Sequence, residues 1–462
     1  MLTNTHVYDN ILETIGNTPM VELKKMETGL CRLFVKLENQ NPGGSIKDRI
    51  ALSMIKDAED SGKLKPGGTI IEATAGNTGI GLALVARIKG YRIILVIPDK
   101  MSQEKVNHLR ALGADIIITR SDVEKGHPDY YQDLAKHLAK KYNAYYINQF
   151  ENQANPLAHF NSTGPEIWTQ MKFKLDAVVA GIGSSGTITG LSHFFKNIDP
   201  NIEMVLADPE GSVLAEYINT GSIRTKAGSW YVEGIGEDFI PPIADLHNVN
   251  KAYTISDKES FDIARELLQK EGILAGSSSG TLVAAALKYC REQNKPKKVV
   301  TFICDSGNKY LSKMYNDFWL SDRGFTSRRK YGDLRDIISR RFKEKAVIAL
   351  KPEDSLNSAF ARMKLYDISQ LPVLRGNKIV GILDESDLLF SVHKLNGSFE
   401  NTVEQAMTTN LIKIIPAESL ETLIKIFKKG YTAIVESEVG EFYGIITQID
   451  LINYLKQKKH DN

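Results

Sequence analysis

The chain has 462 residues, of which 42% are hydrophobic and 25% charged, and its net charge is only +2. This is ordinary globular composition for about three domains of roughly 150 residues each, and the near balance of charge argues against a nucleic-acid or membrane-surface binder. No apolar run approaches the roughly 18 residues of a membrane span, and the first ten residues lack the features of a secretion signal. The three cysteines are too scattered for a disulfide framework or a zinc site, so we expect a cytoplasmic protein without a metal.

Short β-branched runs alternate with helix-length polar segments over the first two thirds of the chain. Continuous apolar strands of this kind are typical of parallel sheets that helices cover on both faces. We therefore predict an α/β body of two lobes, with ligands beyond the carboxyl ends of its strands. The predicted strands span residues 33–37, 69–72, 92–97, 115–119, 176–180, 203–207 and 299–303.

The composition changes near residue 321. Residues 321–345 contain nine Lys or Arg against four Asp or Glu and few apolar side chains, which favours a solvated linker. Beyond them, residues 351–356 recur as 415–420, and residues 381–389 recur as 444–452. Two copies are too few for a solenoid, so we predict a pair of similar modules. The predicted division is 1–320 for the α/β body, 321–340 for the linker, and 341–396 and 397–462 for the modules.

Glycine and small hydroxyl residues cluster after predicted strands at residues 74–81 and 181–187, and again at residues 276–280 before an Ala-rich segment. Such loops let backbone N–H groups and the positive end of a helix approach an anion. For the third cluster alone, glycines that only form tight turns are a plausible explanation.

The loop at 181–187 allows two interpretations. Gly181, Gly183 and Gly186 match the G-x-G-x-x-G pattern of dinucleotide-binding loops, and Asp208 follows the next strand as a ribose-binding acid would. A nicotinamide dehydrogenase is therefore an alternative. The three hydroxyls of this loop favour a terminal monophosphate, whose oxygens take more donors than a bridging pyrophosphate does. They belong to Ser184, Ser185 and Thr187.

Lys47 follows a Gly-Gly-Ser turn at the start of a predicted amphipathic helix. The positive end of a helix disfavours a charged lysine and lowers its pKa, which suits an amine that must be neutral to form an imine. A solvated lysine would explain this one feature as well. Together with the asparagine-containing loop at 74–81 and the hydroxyl-rich loop at 181–187, it fits pyridoxal 5′-phosphate bound as a Schiff base.

Seven motifs in the first 320 residues carry a family likeness. They resemble the fold-type II pyridoxal-phosphate enzymes, and within these the group of cystathionine β-synthases and cysteine synthases. The resemblance implies a two-lobed α/β fold of parallel sheets covered by helices. The motifs are Ile15–Pro19, Gly44–Arg49, Thr74–Gly79, Gln149–His159, Gly183–Thr187, Val232–Phe239 and Cys304–Gly307.

The resemblance also implies roles for individual residues. Lys47 would hold the cofactor and, once displaced by the substrate amine, remove its Cα proton. Asn77 would bond the ring 3′-oxygen, and Ser306 would face the pyridine nitrogen, unless it is only a turn hydroxyl. The phosphate would be bound by Gly183, Ser184, Ser185, Gly186 and Thr187. The substrate carboxylate would be bound by Thr74, Ala75, Gly76, Thr78 and Gln149.

The implied reaction is β-replacement through an external aldimine and an aminoacrylate. Serine or O-acetylserine would condense with homocysteine to give cystathionine, and cysteine as donor would release hydrogen sulfide. An O-acetylserine-dependent cysteine synthase is the alternative, because Ala75 stands where the family often has serine. We also expect a homodimer or larger homo-oligomer, and no haem, because the haem-binding extension of animal forms is missing. A protein that senses an adenosyl ligand and has an inactive catalytic body is a third hypothesis.

The two C-terminal copies resemble a tandem pair of α+β CBS domains (a Bateman module). Their signature implies a regulatory ligand, S-adenosylmethionine or an adenine nucleotide, with Asp450 on a ribose and Thr447 near a phosphate. A helix-capping role for Asp450 is equally plausible. In the first copy Asp384 stands where Thr or Ser is usual, which weakens phosphate binding there.

Overall fold

A computed structural model describes residues 7–74, 76–99, 101–124, 126–326, 328–394 and 397–458. The chain divides into two compact units, residues 1–315 and 316–462. Among the described residues, no helix combines the length and apolar character that crossing a membrane requires.

The first unit contains ten strands in the described residues, and the second contains five. The strands of the first unit are β1 (Met20–Glu22), β2 (Arg32–Leu37), β3 (Thr69–Ala73), β4 (Arg92–Pro98), β5 (Asp115–Thr119), β6 (Tyr145–Tyr146), β7 (Ala177–Gly181), β8 (Glu203–Pro209), β9 (Val249–Ile255) and β10 (Lys298–Ile303). Those of the second unit are β11 (Gln370–Arg375), β12 (Lys378–Asp384), β13 (Lys413–Ile414), β14 (Ala433–Glu436) and β15 (Phe442–Ile446).

The α-helices of the described residues alternate with these strands. Those of the first unit are α1 (Lys47–Asp60), α2 (Asn77–Lys89), α3 (Gln103–Ala111), α4 (Tyr131–Lys141), α5 (Ala154–Ala158), α6 (Gly164–Gln170), α7 (Gly186–Ile198), α8 (Leu214–Thr220), α9 (Asp257–Glu271) and α10 (Ser277–Arg291). Those of the second unit are α11 (Asp317–Asp322), α12 (Leu356–Tyr366), α13 (Glu385–His393), α14 (Val403–Ala406), α15 (Leu420–Lys428) and α16 (Gln448–Lys458).

The first unit is built on two sheets, which confirms the predicted α/β class. One has the strand order β1-β2-β10-β7-β8-β9 and the other β5-β4-β3-β6. Every pairing in them is parallel except that of the edge strand β1 with β2. The central strands are continuous apolar runs because helices cover both of their faces.

Three adjacent strands of the larger sheet bring distant parts of the sequence to one edge. Strand β10 pairs in parallel with β2 on one side and with β7 on the other. Their carboxyl ends therefore meet, and the chain leaves them into the turn before Lys47, into Cys304–Gly307 and into the loop Gly181–Gly186. In the smaller sheet, β3 leads directly into α2, which begins at Asn77.

The second unit repeats one α+β pattern twice. The strands β11 and β12 form an antiparallel pair, and β13, β14 and β15 form a second small sheet. The recurring Pro-x-x-Ser motif has a structural cause, because each serine caps a helix. Ser355 accepts from the backbone N–H of Ser358 at the start of α12, and Ser419 from that of Thr422 at the start of α15.

The basic segment that follows the first unit contains three buried apolar side chains. Leu334, Ile337 and Ile338 are at most 4% exposed and belong to the core of the second module. Because charged residues surround these three side chains in the sequence, a count of residue types over the segment does not reveal that they belong to a core. The domain boundaries expected from the sequence stay a prediction.

A buried ion-pair network ties α1 to its neighbours. Arg49 is 4% exposed and bonds Glu38 at 2.7 Å and Glu166 at 2.7 Å, and Lys36 bonds Glu166 at 2.8 Å. A buried charge whose partner is removed keeps its full desolvation cost. This network therefore fixes the start of α1, where Lys47 lies.

We predict that Arg49→Met lowers the free energy of unfolding by about 3–5 kcal/mol, because it leaves the Glu38 carboxylate buried without its partner. Arg92→Met is the matched control, since the Arg92–Asp115 pair is exposed on both sides. It should cost less than about 1 kcal/mol. Urea unfolding followed by circular dichroism measures both, and equal losses would contradict the prediction.

Candidate active site

Lys47 is the first residue of α1 and follows a tight turn. Gly44 in that turn has φ +75°, a conformation that favours glycine, and the Ser45 hydroxyl accepts from the Lys47 backbone N–H at 3.2 Å. Burial lowers the pKa of the Lys47 amine, although Cys304, Glu237 and Asp305 act in the opposite direction. Its Nζ makes no hydrogen bond to the described residues. The lowered pKa favours the neutral form of the amine, which is the form that reacts with an aldehyde.

The end of β10 lies against the turn that precedes Lys47. Isolated β-bridges join Ser45 to Asp305 and Ala275 to Ser306, and the Ser306 N–H donates to Gly44 O at 3.2 Å. The structure therefore places Ser306 close to the turn before Lys47. The Ser306 hydroxyl also accepts from the Asn308 N–H at 3.3 Å, so the turn role suggested by the sequence is present as well.

The loop after β7 forms a concave backbone cradle at the start of α7. A Cβ on Gly183 would lie 2.6 Å from Gly234 O, and one on Gly186 would lie 1.8 Å from Asn155 Oδ1. Only glycine fits at either position. Ser185 precedes α7 with φ +72°, a conformation unusual for a residue other than glycine. This strained backbone conformation places the N–H groups at the start of α7 beside the loop, where they can bind an anion.

Two buried side chains support this cradle, and the sequence analysis gave no role to either. Asn155 donates to Ser184 Oγ at 3.0 Å, and its own Oδ1 is buried without a partner among the described residues. His159 Nε2 lies 3.2 Å from Thr187 Oγ1, and burial lowers the pKa of this imidazole well below its usual range. Both lie in the motif Gln149–His159, and this position in a family motif was the available signal.

The start of α2 holds the residues predicted for a substrate carboxylate. Thr74 Oγ1 accepts from the backbone N–H groups of Gly76 at 3.1 Å and Gly79 at 3.3 Å. Thr78 Oγ1 donates to Gln149 Oε1 at 2.8 Å, so these two side chains are brought together. The backbone N–H groups at the start of α2 make a favourable place for a carboxylate. Ala75 lies outside the described residues.

Asn77 is held on both sides of its amide. Its Nδ2 donates to Asp305 Oδ2 at 2.7 Å, and its Oδ1 accepts from Lys309 Nζ at 2.9 Å. Asp305 Oδ2 also accepts from the Tyr310 hydroxyl at 2.7 Å, and Lys105 donates to that hydroxyl at 3.0 Å. Sequence reasoning missed these partners, because Lys and Asp ordinarily indicate solvent-exposed positions.

The third glycine cluster serves packing. A Cβ on Gly276 would lie 1.8 Å from Asp305 Oδ1, and one on Gly280 would lie 1.9 Å from Ser260 O, where α10 crosses α9. Asp208 is fully buried and accepts from the Ala215 N–H at 2.8 Å, in the first turn of α8. Burial raises the pKa of its carboxyl to about 6. The dinucleotide alternative therefore loses its ribose partner.

These residues fit pyridoxal 5′-phosphate. The glycine cradle and its three hydroxyls suit a phosphate, and the unbonded amine of Lys47 suits an aldehyde. The positive end of α7 faces the same loop and favours an anion there.

The signature residues of the second module are bonded to each other. Asp450 Oδ2 accepts from the Thr447 N–H at 2.7 Å and from its hydroxyl at 2.6 Å, and Asp450 Oδ1 accepts from Ser339. Asp450 thus has a helix-capping role at the start of α16. In the first module Asp384 and Asp387 form the corresponding capping box before α13.

Comparisons with known proteins give a consistent picture. The family described as Pyridoxal-phosphate dependent enzyme matches residues 11–305, and the CBS domain matches residues 334–394 and 403–457. A Dictyostelium discoideum protein named cystathionine beta-synthase is 38% identical over 99% of this chain and 94% of its own. Cysteine synthase 1 of Emericella nidulans is 40% identical over 68% of this chain and 87% of its own. The crystal structure of a hydrogen sulfide-producing enzyme from Fusobacterium nucleatum superposes with a TM-score of 0.62 at 36% identity, covering 66% of this chain and all of that one.

We predict that Thr187→Val weakens cofactor retention roughly tenfold or more, the value of one hydrogen bond to a charged group. Valine keeps the volume of threonine and removes only the hydroxyl. Thr187→Ser is the matched control and should retain the cofactor nearly as wild type does. Dilution of each holo-protein, followed by its visible absorbance, measures retention. Equal retention by the two variants would remove Thr187 from the phosphate site.

Proposed function

Because the chain belongs to the pyridoxal-phosphate dependent enzyme family, we propose that it catalyses β-replacement on an amino acid. The substrates are L-serine or O-acetylserine and L-homocysteine, and the product is L-cystathionine. The observation that carries this proposal is the meeting of Lys47, Ser306 and the loop Gly183–Thr187 at the ends of three adjacent parallel strands. Similarity over nearly the whole chain to proteins named cystathionine beta-synthase supports the choice of substrates.

When bound, pyridoxal phosphate acts as an electron sink that acidifies the Cα–H bond of an amino acid. The protein contributes the base that takes this proton. Lys47 suits that role, because burial lowers the pKa of its amine and so increases the neutral fraction. Cys304 lies next to it in the site, but burial raises the pKa of this thiol to about 12 and keeps it protonated.

Ser306 determines which reaction follows the loss of the proton. A hydroxyl near the ring nitrogen does not force that nitrogen to be protonated, as a carboxylate would. With that nitrogen unprotonated, the cofactor would withdraw less charge from the substrate Cα, which would favour loss of the β-substituent over transamination. Ser306 thus supports replacement at the β-carbon.

The substrate carboxylate is expected at the start of α2. The backbone N–H groups there are satisfied in part by Thr74, and the Thr78–Gln149 hydrogen bond gives this edge a fixed shape. A carboxylate held at this point would limit the orientations of the amino acid relative to Lys47. Buried strands β3 and β4 behind this edge exclude water.

A cysteine synthase that uses O-acetylserine and sulfide is the second candidate. It is favoured by the similarity of the first unit to cysteine synthase 1. The similarity to cystathionine beta-synthase extends over the CBS-domain pair as well. This favours the first candidate.

We predict that holoenzyme supplied with serine and homocysteine forms cystathionine, and that Lys47→Ala abolishes this activity together with the visible absorbance of the cofactor. Lys56→Ala is the matched control, because Lys56 is an exposed lysine on the same helix. Each donor, serine or O-acetylserine, is crossed with homocysteine or sulfide, and products are identified by chromatography. Cysteine formation from O-acetylserine and sulfide alone would favour the second candidate.

The CBS-domain pair is the proposed regulatory site, and its ligand is S-adenosylmethionine or an adenine nucleotide at Asp450 and Thr447. A ribose hydroxyl would share Asp450 Oδ1 with Ser339 or replace it there, because Oδ2 already accepts two hydrogen bonds from Thr447. The first module is a poorer site, because the Asp384 and Asp387 carboxylates face the same helix start and repel phosphate. The proposed homodimer stays a prediction.

We predict that Asp450→Ala abolishes the heat of binding of whichever of these two ligands the wild-type protein binds. Asp387→Ala is the matched control, because it removes the corresponding helix cap without touching the second module. Isothermal calorimetry on the full chain measures both variants. Binding that is lost in Asp387→Ala and kept in Asp450→Ala would assign the ligand to the first module.

A further inference from the structure

Lys309 is a buried lysine with an unusual set of partners. It is 7% exposed, and its Nζ donates to Gly43 O at 3.0 Å, to Gly44 O at 3.2 Å and to Asn77 Oδ1 at 2.9 Å. The ammonium group therefore uses all three of its donors on neutral oxygens. No carboxylate of the described residues forms a salt bridge with it.

These three bonds join separate parts of the active site. Gly43 and Gly44 form the turn before Lys47, Asn77 begins α2, and Lys309 lies in the short helix that follows Ser306. The amine thus connects the larger sheet to the smaller one at the place where the cofactor ring is expected. Burial of a lysine is costly, and it lowers the pKa of Lys309 to about 8. A purely structural contact could use a neutral donor at less cost.

An ammonium group can only donate hydrogen bonds. The Asn77 atom that faces Lys309 must therefore be the carbonyl oxygen, and the amide nitrogen must point the other way. In the structure that nitrogen donates to Asp305 Oδ2. Lys309 and Asp305 therefore hold the Asn77 amide from its two ends, and without Lys309 the amide oxygen loses its donor and the Asp305 carboxylate alone holds the group.

We propose that Lys309 is a positioning residue, which fixes Asn77 as a hydrogen-bond donor toward the cofactor's ring oxygen while holding the turn that presents Lys47. This proposal depends on the proposed function in one respect, which is that Asn77 faces the ring oxygen of the cofactor. It does not depend on which amino acid or thiol is the substrate.

A double-mutant cycle tests whether Lys309 acts through Asn77. Lys309→Met, Asn77→Ala and the double variant are prepared as holoenzymes, and cofactor retention after dilution is followed by visible absorbance. We expect each single variant to weaken retention about tenfold, and the double variant to be within threefold of either one. The ratio of the visible to the near-ultraviolet band should change in the same way in both single variants. If the two single losses multiply to about a hundredfold in the double variant, the proposal is wrong. It is also wrong if Lys309→Met retains the cofactor as the wild type does.

A second pair of variants tests the donor-only requirement and does not depend on the folding of Lys309→Met. Arginine can only donate, as lysine does, whereas glutamine can donate or accept. We therefore expect Lys309→Arg to retain the cofactor better than Lys309→Gln and to keep the wild-type band ratio. Equal retention, or better retention by Lys309→Gln, contradicts the proposal. If the spectral results hold but no cystathionine forms, the proposed substrates are wrong and the role of Lys309 stands.

Discussion

The parallel pairing of β10 with β2 and β7 is the constraint on which the active site depends. Parallel strands that lie side by side end at one edge, so residues far apart in the sequence arrive together. This strand pairing is what brings together Lys47, Ser306 and the loop Gly183–Thr187. The register of these strands, with Ile303 opposite Leu37, also sets how far each loop reaches beyond the sheet.

The site achieves its chemistry by burying groups that water would otherwise stabilise. Burial lowers the pKa of the Lys47 amine and so favours its neutral form, and burial raises the pKa of the Cys304 thiol beside it to about 12, so that the thiol keeps its proton. Around them, Lys309 donates to the backbone and the Tyr310 hydroxyl donates to Asp305, so these polar groups are held in fixed directions. A preorganised polar site of this kind gives the cofactor its orientation at little cost in reorganisation.

Much of the catalytic fold could be predicted, because its central strands are continuous apolar runs. The edge strand β9 was missed, since its exposed Asn250 and Thr254 interrupt such a run, and β6 has only two residues. The glycine loops and Lys47 follow from local chemistry and family motifs. Asp305 and Lys309 do not, because burial of a charge depends on partners that folding brings from elsewhere. The helix caps Ser355 and Ser419 explain the repeat, whereas the Ser339–Asp450 contact joins residues 111 positions apart and leaves no local signal.

The central claim is that the cofactor aldehyde is joined to Lys47 and to no other lysine. Borohydride reduction of the holoenzyme makes this bond permanent, and peptide mass spectrometry then locates it. We expect the pyridoxyl group on the peptide that contains Lys47. Its presence on Lys105 or Lys309, the two other buried lysines that contact this site, would contradict the account.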